Sequence, residues 1–146
     1  AKGPTRRSRG GFSRGSDEKM VSDARAPNLW LLDYREAGTF CVADPASLLI
    51  WRPEMDSDQL LRIDQGSAHD TVAFVQGANY RKWPTDTVPL KFDVDYELSG
   101  GGLPAPVTVR FAALTAIPET AEASAEQFLA KNCRHQLDRL VDAMQP

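Results

Sequence analysis

A ten-residue run in the second half of the chain alternates strictly between apolar and polar side chains. It extends over residues 89–98 and reads PLKFDVDYEL. Successive side chains of a β-strand point to opposite faces, so its apolar residues share one face and its charged residues the other. The glycine-rich segment 99–102 follows, and the segment 106–114, PVTVRFAAL, alternates again. This pattern predicts a β-hairpin with one buried and one solvated face.

Shorter apolar segments precede this hairpin and are separated by proline, glycine and polar residues. They predict strands within residues 28–34, 39–43, 47–51, 60–64 and 71–75, with a short edge segment at 80–83. Six to eight short strands with frequent turns are typical of a β-sandwich or an open barrel.

The periodicity of the apolar residues changes after Pro118. Residues 119–144 contain neither glycine nor proline, and their apolar side chains recur at three- and four-residue steps. We therefore predict one amphipathic C-terminal helix, 119–144, packed on the sheet. The predicted fold class is mainly β with this appended helix, or α+β if the helix is counted.

The chain contains two cysteines, and both occupy positions with core-like patterns. Cys41 lies in a predicted strand and Cys133 on the apolar stripe of the predicted helix. We predict a disulfide between them; two unrelated buried thiols are the alternative, because free cysteine is often buried. A disulfide fits an oxidising compartment. The expected location is therefore periplasmic or extracellular with the leader already removed, and a cytoplasmic location stays open.

Charge is unevenly distributed along the chain, whose formal net charge is −3. The first 19 residues carry six basic and two acidic side chains, so the remainder is strongly acidic. Residues 1–16 are rich in glycine, serine and arginine, a composition that cannot bury enough surface to fold alone. We predict a flexible basic arm, 1–27, in front of a single β-rich domain, 28–146. The arm is expected to order on a partner, to be an inert tail, or to bind nucleic acid.

The number and spacing of histidines and cysteines favour a protein that is not an enzyme. The only histidines are His69 and His135, and two-residue spacing on a helix turns the side chains of Cys133 and His135 apart. No pair of cysteines or histidines has the spacing of a zinc site, and no phosphate-binding or dinucleotide-binding motif is present. We expect no metal and no cofactor. The longest apolar stretches are also too short to span a membrane.

Aromatic and basic residues are the remaining candidates for a binding surface. Trp30 and Trp51 are predicted to be core residues, whereas Trp83 is predicted to be either a core residue or a surface anchor. An exposed edge strand at 80–83 would also accept an extended partner strand. The predicted partner-binding residues of the arm and of this segment are Arg6, Arg7, Arg9, Phe12, Arg14, Tyr80, Arg81, Lys82 and Trp83.

These patterns favour a non-enzymatic, extracytoplasmic β-rich module that serves as an accessory or binding subunit of a larger envelope assembly or of a homo-oligomer. The alternative is a cytosolic nucleic-acid-binding protein that uses the arginines of the arm. A third hypothesis is a small enzyme or ligand carrier with a site between the β-layers.

Overall fold

A computed structural model describes residues 25–114 and 118–144 of this 146-residue chain. This part of the chain contains eight strands in two sheets, followed by two α-helices, which confirms the predicted mainly β, or α+β, class. The elements are β1 (Leu31–Asp33), β2 (Gly38–Val42), β3 (Leu49–Trp51), β4 (Gln59–Gln65), β5 (Ala68–Phe74), β6 (Tyr80–Lys82), β7 (Asp95–Gly100), β8 (Val107–Ala113), α1 (Ala121–Ala130) and α2 (Arg134–Met144).

The chain passes repeatedly between the two sheets. The larger sheet has five strands in the order β2-β8-β7-β4-β5, and the smaller has three strands in the order β1-β3-β6. The β1–β3 and β2–β8 pairs are parallel, whereas the other pairs are antiparallel. Strands β2 and β5 are therefore the edges of the larger sheet, and β6 is an edge of the smaller.

The main hydrophobic core contains alternate residues from both sheets. Leu32 and Ile50 come from the smaller sheet, and side chains from the five strands of the larger sheet join them. Trp83 is buried among them, with its ring edge-to-face on Tyr96 and Phe111 and its indole N–H bonded to a carbonyl. Burial of each such side chain contributes roughly 1.5–3 kcal/mol.

The predicted hairpin is present, but its first strand is shorter than the alternating pattern indicates. β7 pairs with β8 from Asp95 onward, and residues 90–94 form no strand beyond a single bridge at Phe92. Asp93 has a φ of 63°, a left-handed conformation that ends regular pairing. The Tyr96 hydroxyl stabilises the non-strand conformation of the segment before β7, because it accepts a hydrogen bond from the Lys91 amide and donates one to the Pro89 carbonyl.

The prediction of one helix over 119–144 is wrong, because the chain forms two helices. α1 ends at Ala130, and Asn132 adopts a φ of 63°. The amide of Cys133 then donates to the Phe128 carbonyl, and that of Asn132 to the Leu129 carbonyl. These bonds form a Schellman motif, in which asparagine takes the left-handed position that glycine usually occupies. The absence of glycine and proline therefore did not guarantee a continuous helix.

The predicted disulfide between Cys41 and Cys133 is confirmed. Its Cα atoms lie 5.9 Å apart, and both residues are fully buried. Phe40 and Val42, on either side of Cys41, face the main core, so alternation along β2 directs Cys41 to the opposite face. There the disulfide joins a second apolar cluster with Phe128 and Leu140 of the helices.

Gln136 completes the attachment of α2 to the sheet. Its amide oxygen accepts from the Cys41 amide at 2.7 Å, and its amide nitrogen donates to the Cys41 carbonyl at 2.9 Å. The same nitrogen donates to the Leu29 carbonyl at 2.9 Å. The side chain thus pairs with the edge of β2 as a neighbouring strand would, and it satisfies backbone groups that would otherwise be buried and unpaired.

Removal of the disulfide is expected to lower the stability of the fold strongly. It closes a loop over a sequence separation of 92 residues, and the chain-entropy treatment assigns such a bond a stabilisation of roughly 4–5 kcal/mol. Urea unfolding of the oxidised protein and of the Cys41→Ala/Cys133→Ala variant measures the difference. An unchanged transition midpoint would contradict this role of the bond.

A Gln136→Ala substitution is expected to cost about 3 kcal/mol of unfolding free energy, because it leaves the buried backbone N–H and C=O of Cys41 without partners and removes a bond to the partly buried Leu29 carbonyl. Asp138→Ala, which alters an exposed residue of the same helix, is the control and should change stability little. Equal effects of the two substitutions in chemical denaturation would refute the edge-pairing role.

Candidate functional site

The predicted edge segment forms β6, which pairs with β3 alone among the strands of residues 25–114 and 118–144. Tyr80 and Lys82 are exposed, whereas Arg81 is half-buried. The Arg81 guanidinium donates to the Ala73 carbonyl at 3.0 Å and to the Tyr80 carbonyl at 3.1 Å. Because Ala73 belongs to β5, this side chain links the edge strands of the two sheets. The edge is therefore partly occupied by Arg81, and strand addition there must compete with these bonds.

The other predicted partner-binding residues divide into two groups. Trp83 is only 1% exposed, so its ring is a core residue and not a surface anchor. The five residues of the arm lie outside the described part of the chain; they are Arg6, Arg7, Arg9, Phe12 and Arg14. Of the predicted segment, Tyr80, Arg81 and Lys82 are thus the side chains that reach the surface.

Exposed apolar side chains surround the turn between β5 and β6. Leu60 is 63% exposed and Tyr80 54% exposed, and Met55 and Val75 are also exposed. The segments that carry them are joined by the Leu60–Ala73 strand pair and by the bond from the Gly77 amide to the Met55 carbonyl. We call the set Met55, Leu60, Val75 and Tyr80 the β5–β6 patch. Leu60 lies on the outer face of the larger sheet, because its neighbour Leu61 faces the main core, whereas Tyr80 pairs with Trp51 on the outer face of the smaller sheet. Exposed apolar side chains grouped around one turn are typical of interaction sites.

Arg52 holds the turn that carries this patch. Its side chain is buried, donates to the carbonyls of Ala78 and Val75, and lies 5.2 Å above the centre of the Phe74 ring. A buried guanidinium is stable there because the backbone supplies its acceptors. The predicted core position of Trp51 is confirmed, and the structure buries Arg52 as well.

A group of charged residues lies where the parallel strands β1 and β3 end. Asp33 is buried and accepts from the Arg35 guanidinium, with its shortest contact at 2.6 Å, and also from the Arg35 amide. The same guanidinium lies 5.9 Å above the centre of the Trp51 ring. This arrangement covers the face of β3 that points away from the main core and fully engages the Asp33 carboxylate.

α2 adds two further basic side chains beside the β1–β2 turn. Arg139 Nη2 lies 3.6 Å from Glu36 Oε1, and His135 Nδ1 lies 3.8 Å from Glu36 Oε2. His135 Nε2 also contacts the Ala37 carbonyl at 2.9 Å. Among the described residues, no atom forms a hydrogen bond with the buried guanidinium nitrogens of Arg139. Sequence patterns did not identify this group, because its members are nearly 100 residues apart.

Burial dominates the electrostatics of Glu36 and Arg139. It raises the pKa of Glu36 above its usual value, although Arg139 and His135 oppose that shift. Burial also lowers the pKa of Arg139, again against the attraction of Glu36. The charged forms of Glu36 and Arg139 therefore lower the stability of the folded state, as is common for buried ion pairs. We call Glu36, His135 and Arg139 the α2 ion cluster.

Within residues 25–114 and 118–144, no three histidine, cysteine, aspartate or glutamate side chains are arranged to hold a metal ion. None of the helices in these ranges has the length and apolar character needed to cross a bilayer. Comparison with protein-family models, with curated proteins and with solved structures finds no match to this chain.

The α2 ion cluster gives a prediction about pH and stability. In Arg139→Met, Glu36 loses its main opposing charge, so its pKa rises further and the folded state binds more protons than the unfolded state. The stability of this variant should therefore fall as pH rises from about 4.5, the ordinary value for glutamate, towards neutrality. Glu36→Gln/Arg139→Met has no such carboxylate and should equal or exceed the wild-type protein in stability.

Urea unfolding of both variants between pH 4.5 and 7.5 checks this expectation. The Asp95→Asn/Arg110→Met pair is the control, because these two residues form an exposed ion pair across β7 and β8. If the single and double variants of the α2 ion cluster show the same pH profile, Glu36 does not bind the extra proton in the folded Arg139→Met variant and the expectation is wrong.

Proposed function

We propose that this protein is a non-enzymatic, extracytoplasmic module that binds a protein partner, as an accessory subunit of a larger assembly or of a homo-oligomer. The β5–β6 patch is the proposed contact surface, with Arg81 and Lys82 at its border. The observation that carries this proposal is the grouping of exposed apolar side chains. Of the eight large apolar side chains exposed in the described residues, four surround this one turn.

The composition and rigidity of the patch favour a protein partner. Tyrosine and arginine are enriched at the energetic centres of protein interfaces, and Tyr80 and Arg81 are adjacent here. Arg52 and Arg81 fix the surrounding backbone through bonds to carbonyls of the turn and of β5. A surface that is ordered before binding loses little entropy when the partner docks.

The disulfide supports the extracytoplasmic part of the proposal. Cys41 and Cys133 are both bonded and fully buried. Stable disulfides persist in oxidising compartments and are rare in a reducing cytosol. The same bond supports the non-enzymatic part, because it removes both thiols as nucleophiles, and His69 and His135 lie on separate elements, β5 and α2.

The basic arm is proposed to add contacts with the partner. Its predicted range, 1–27, ends beside α2, where Arg25 forms an ion pair with Asp142 at 3.2 Å. The arm would then give the partner a second contact, separate from the β5–β6 patch, because β2 and β5 are opposite edges of the larger sheet. Its arginines are equally the basis of the alternative proposal of nucleic-acid binding.

Site-specific photo-crosslinking in the cells that make the protein tests the proposal. A benzophenone side chain at position 60 should yield a discrete adduct with one protein. The control is the same group at position 129, because Leu129 on α1 is comparably exposed and apolar. Tyr80→Ala should reduce the adduct several-fold, since aromatic anchors carry much of the binding energy. The absence of an adduct at position 60, or an identical adduct at both positions, would contradict the patch.

Gel shifts with single-stranded RNA at two salt concentrations distinguish nucleic-acid binding, the alternative function, from protein binding. Binding through the arm should weaken steeply with salt as counterions are released. A salt-dependent shift that is lost when residues 1–19 are removed would favour the nucleic-acid function over the protein-binding one.

A further inference from the structure

The Arg139 guanidinium combines full burial with an absence of hydrogen bonds. Arg139 is 5% exposed, and among the described residues none of its three guanidinium nitrogens has a hydrogen-bond partner. A guanidinium offers five N–H donors in a planar fork that matches the two oxygens of a carboxylate or a phosphate. A buried charge without hydrogen bonds is costly, so these donors need acceptors.

The only carboxylate in ionic contact with Arg139 in the described structure is loosely placed. Glu36 is 3.6 Å from Arg139 and 3.8 Å from His135, whereas charge-assisted hydrogen bonds are usually 2.7–2.9 Å long. Asp33 is close enough to influence Arg139, but the Arg35 guanidinium and amide occupy its oxygens. Glu36 therefore neutralises Arg139 without satisfying it.

The cluster opens towards solvent on the side of Glu36 and His135. The Glu36 side chain is 20% exposed and that of His135 46% exposed. Glu36 follows β1 in a tight turn, where its amide donates to the Asp33 carbonyl. Rotation of the Glu36 side chain would consequently uncover Arg139 without disturbing β1 or α2. Arg25 adds further positive potential at Arg139.

We propose that Arg139 and His135 form a binding site for an oxyanion, and that the Glu36 carboxylate occupies this site when no ligand is bound. The ligand is a carboxylate or a phosphate that enters from the exposed side and displaces the Glu36 carboxylate. It accepts two parallel hydrogen bonds from Arg139 and, when the imidazole carries a proton on both nitrogens, one from His135 Nδ1, because Nε2 donates to the Ala37 carbonyl. Burial disfavours the charged form of Glu36 where it lies now, so its release into water recovers hydration.

The site is distinct from the β5–β6 patch, so either can fail alone. His135 and Arg139 are four residues apart on α2 and therefore lie on one stripe of the helix. The disulfide and Gln136 hold that helix against β2. The donors are thus fixed on a helix that is anchored to the sheet, as a preorganised site requires.

Glu36→Gln tests the proposal because it removes the competing charge and keeps the shape of the side chain. Inorganic phosphate should bind this variant at least tenfold more tightly than it binds the wild-type protein. Phosphate and acetate are titrated separately at constant pH, with sodium chloride keeping the ionic strength equal. Binding is followed by NMR of the His135 ring and of the arginine side-chain Nε–H groups, and the phosphate and acetate arms identify the preferred oxyanion.

Glu36→Gln/Arg139→Met should lose this binding, whereas Glu36→Gln/Arg110→Met, which removes an exposed arginine of β8, should retain it. The NMR signals of the Glu36→Gln protein show by themselves where phosphate or acetate binds. The test therefore does not depend on the folding of the Arg139 variant. Phosphate and acetate affinities that are unchanged by Glu36→Gln, or shifts that do not involve His135 and Arg139, would overturn the proposal.

Discussion

The attachment of α2 to the edge of β2 is the constraint on which the rest of the structure depends. A covalent bond and an amide side chain act together there, because the disulfide fixes Cys133 against Cys41 while Gln136 pairs with the Cys41 backbone. β2 lies at the edge of the larger sheet, and such an edge presents unpaired backbone groups. The helix covers this edge and encloses the second apolar cluster.

The same attachment determines where charge is placed. Gln136 faces the sheet, so the neighbouring stripe of α2 brings His135 and Arg139 to the β1–β2 turn, where Glu36 lies. Arg52, Arg81 and Arg139 illustrate how differently a buried or half-buried guanidinium can be accommodated. Arg52 and Arg81 bond to backbone carbonyls, whereas the described residues offer Arg139 only a distant ion pair. The contrast identifies Arg139 as the one with capacity for a further acceptor.

Local sequence patterns predicted the elements well where one physical preference dominated. The strands were located because apolar alternation and proline or glycine breaks agreed, and the disulfide followed from two core-like positions. The predicted segment at 80–83 placed Tyr80, Arg81 and Lys82 correctly near an edge strand. Errors arose where a single residue adopted a left-handed conformation. Asn132 ended a helix that composition alone would continue, and Asp93 shortened a strand.

The sequence by itself determined the β-rich class, the amphipathic character of the C-terminal segment and the pairing of the cysteines, because each follows from the preference of side chains for apolar surroundings. Tertiary structure alone decided the burial of Trp83, the role of Gln136 and the α2 ion cluster. Glu36 and Arg139 are separated by more than 100 residues. Contacts of that kind depend on the packing of whole elements, which leaves no periodic trace in the local sequence.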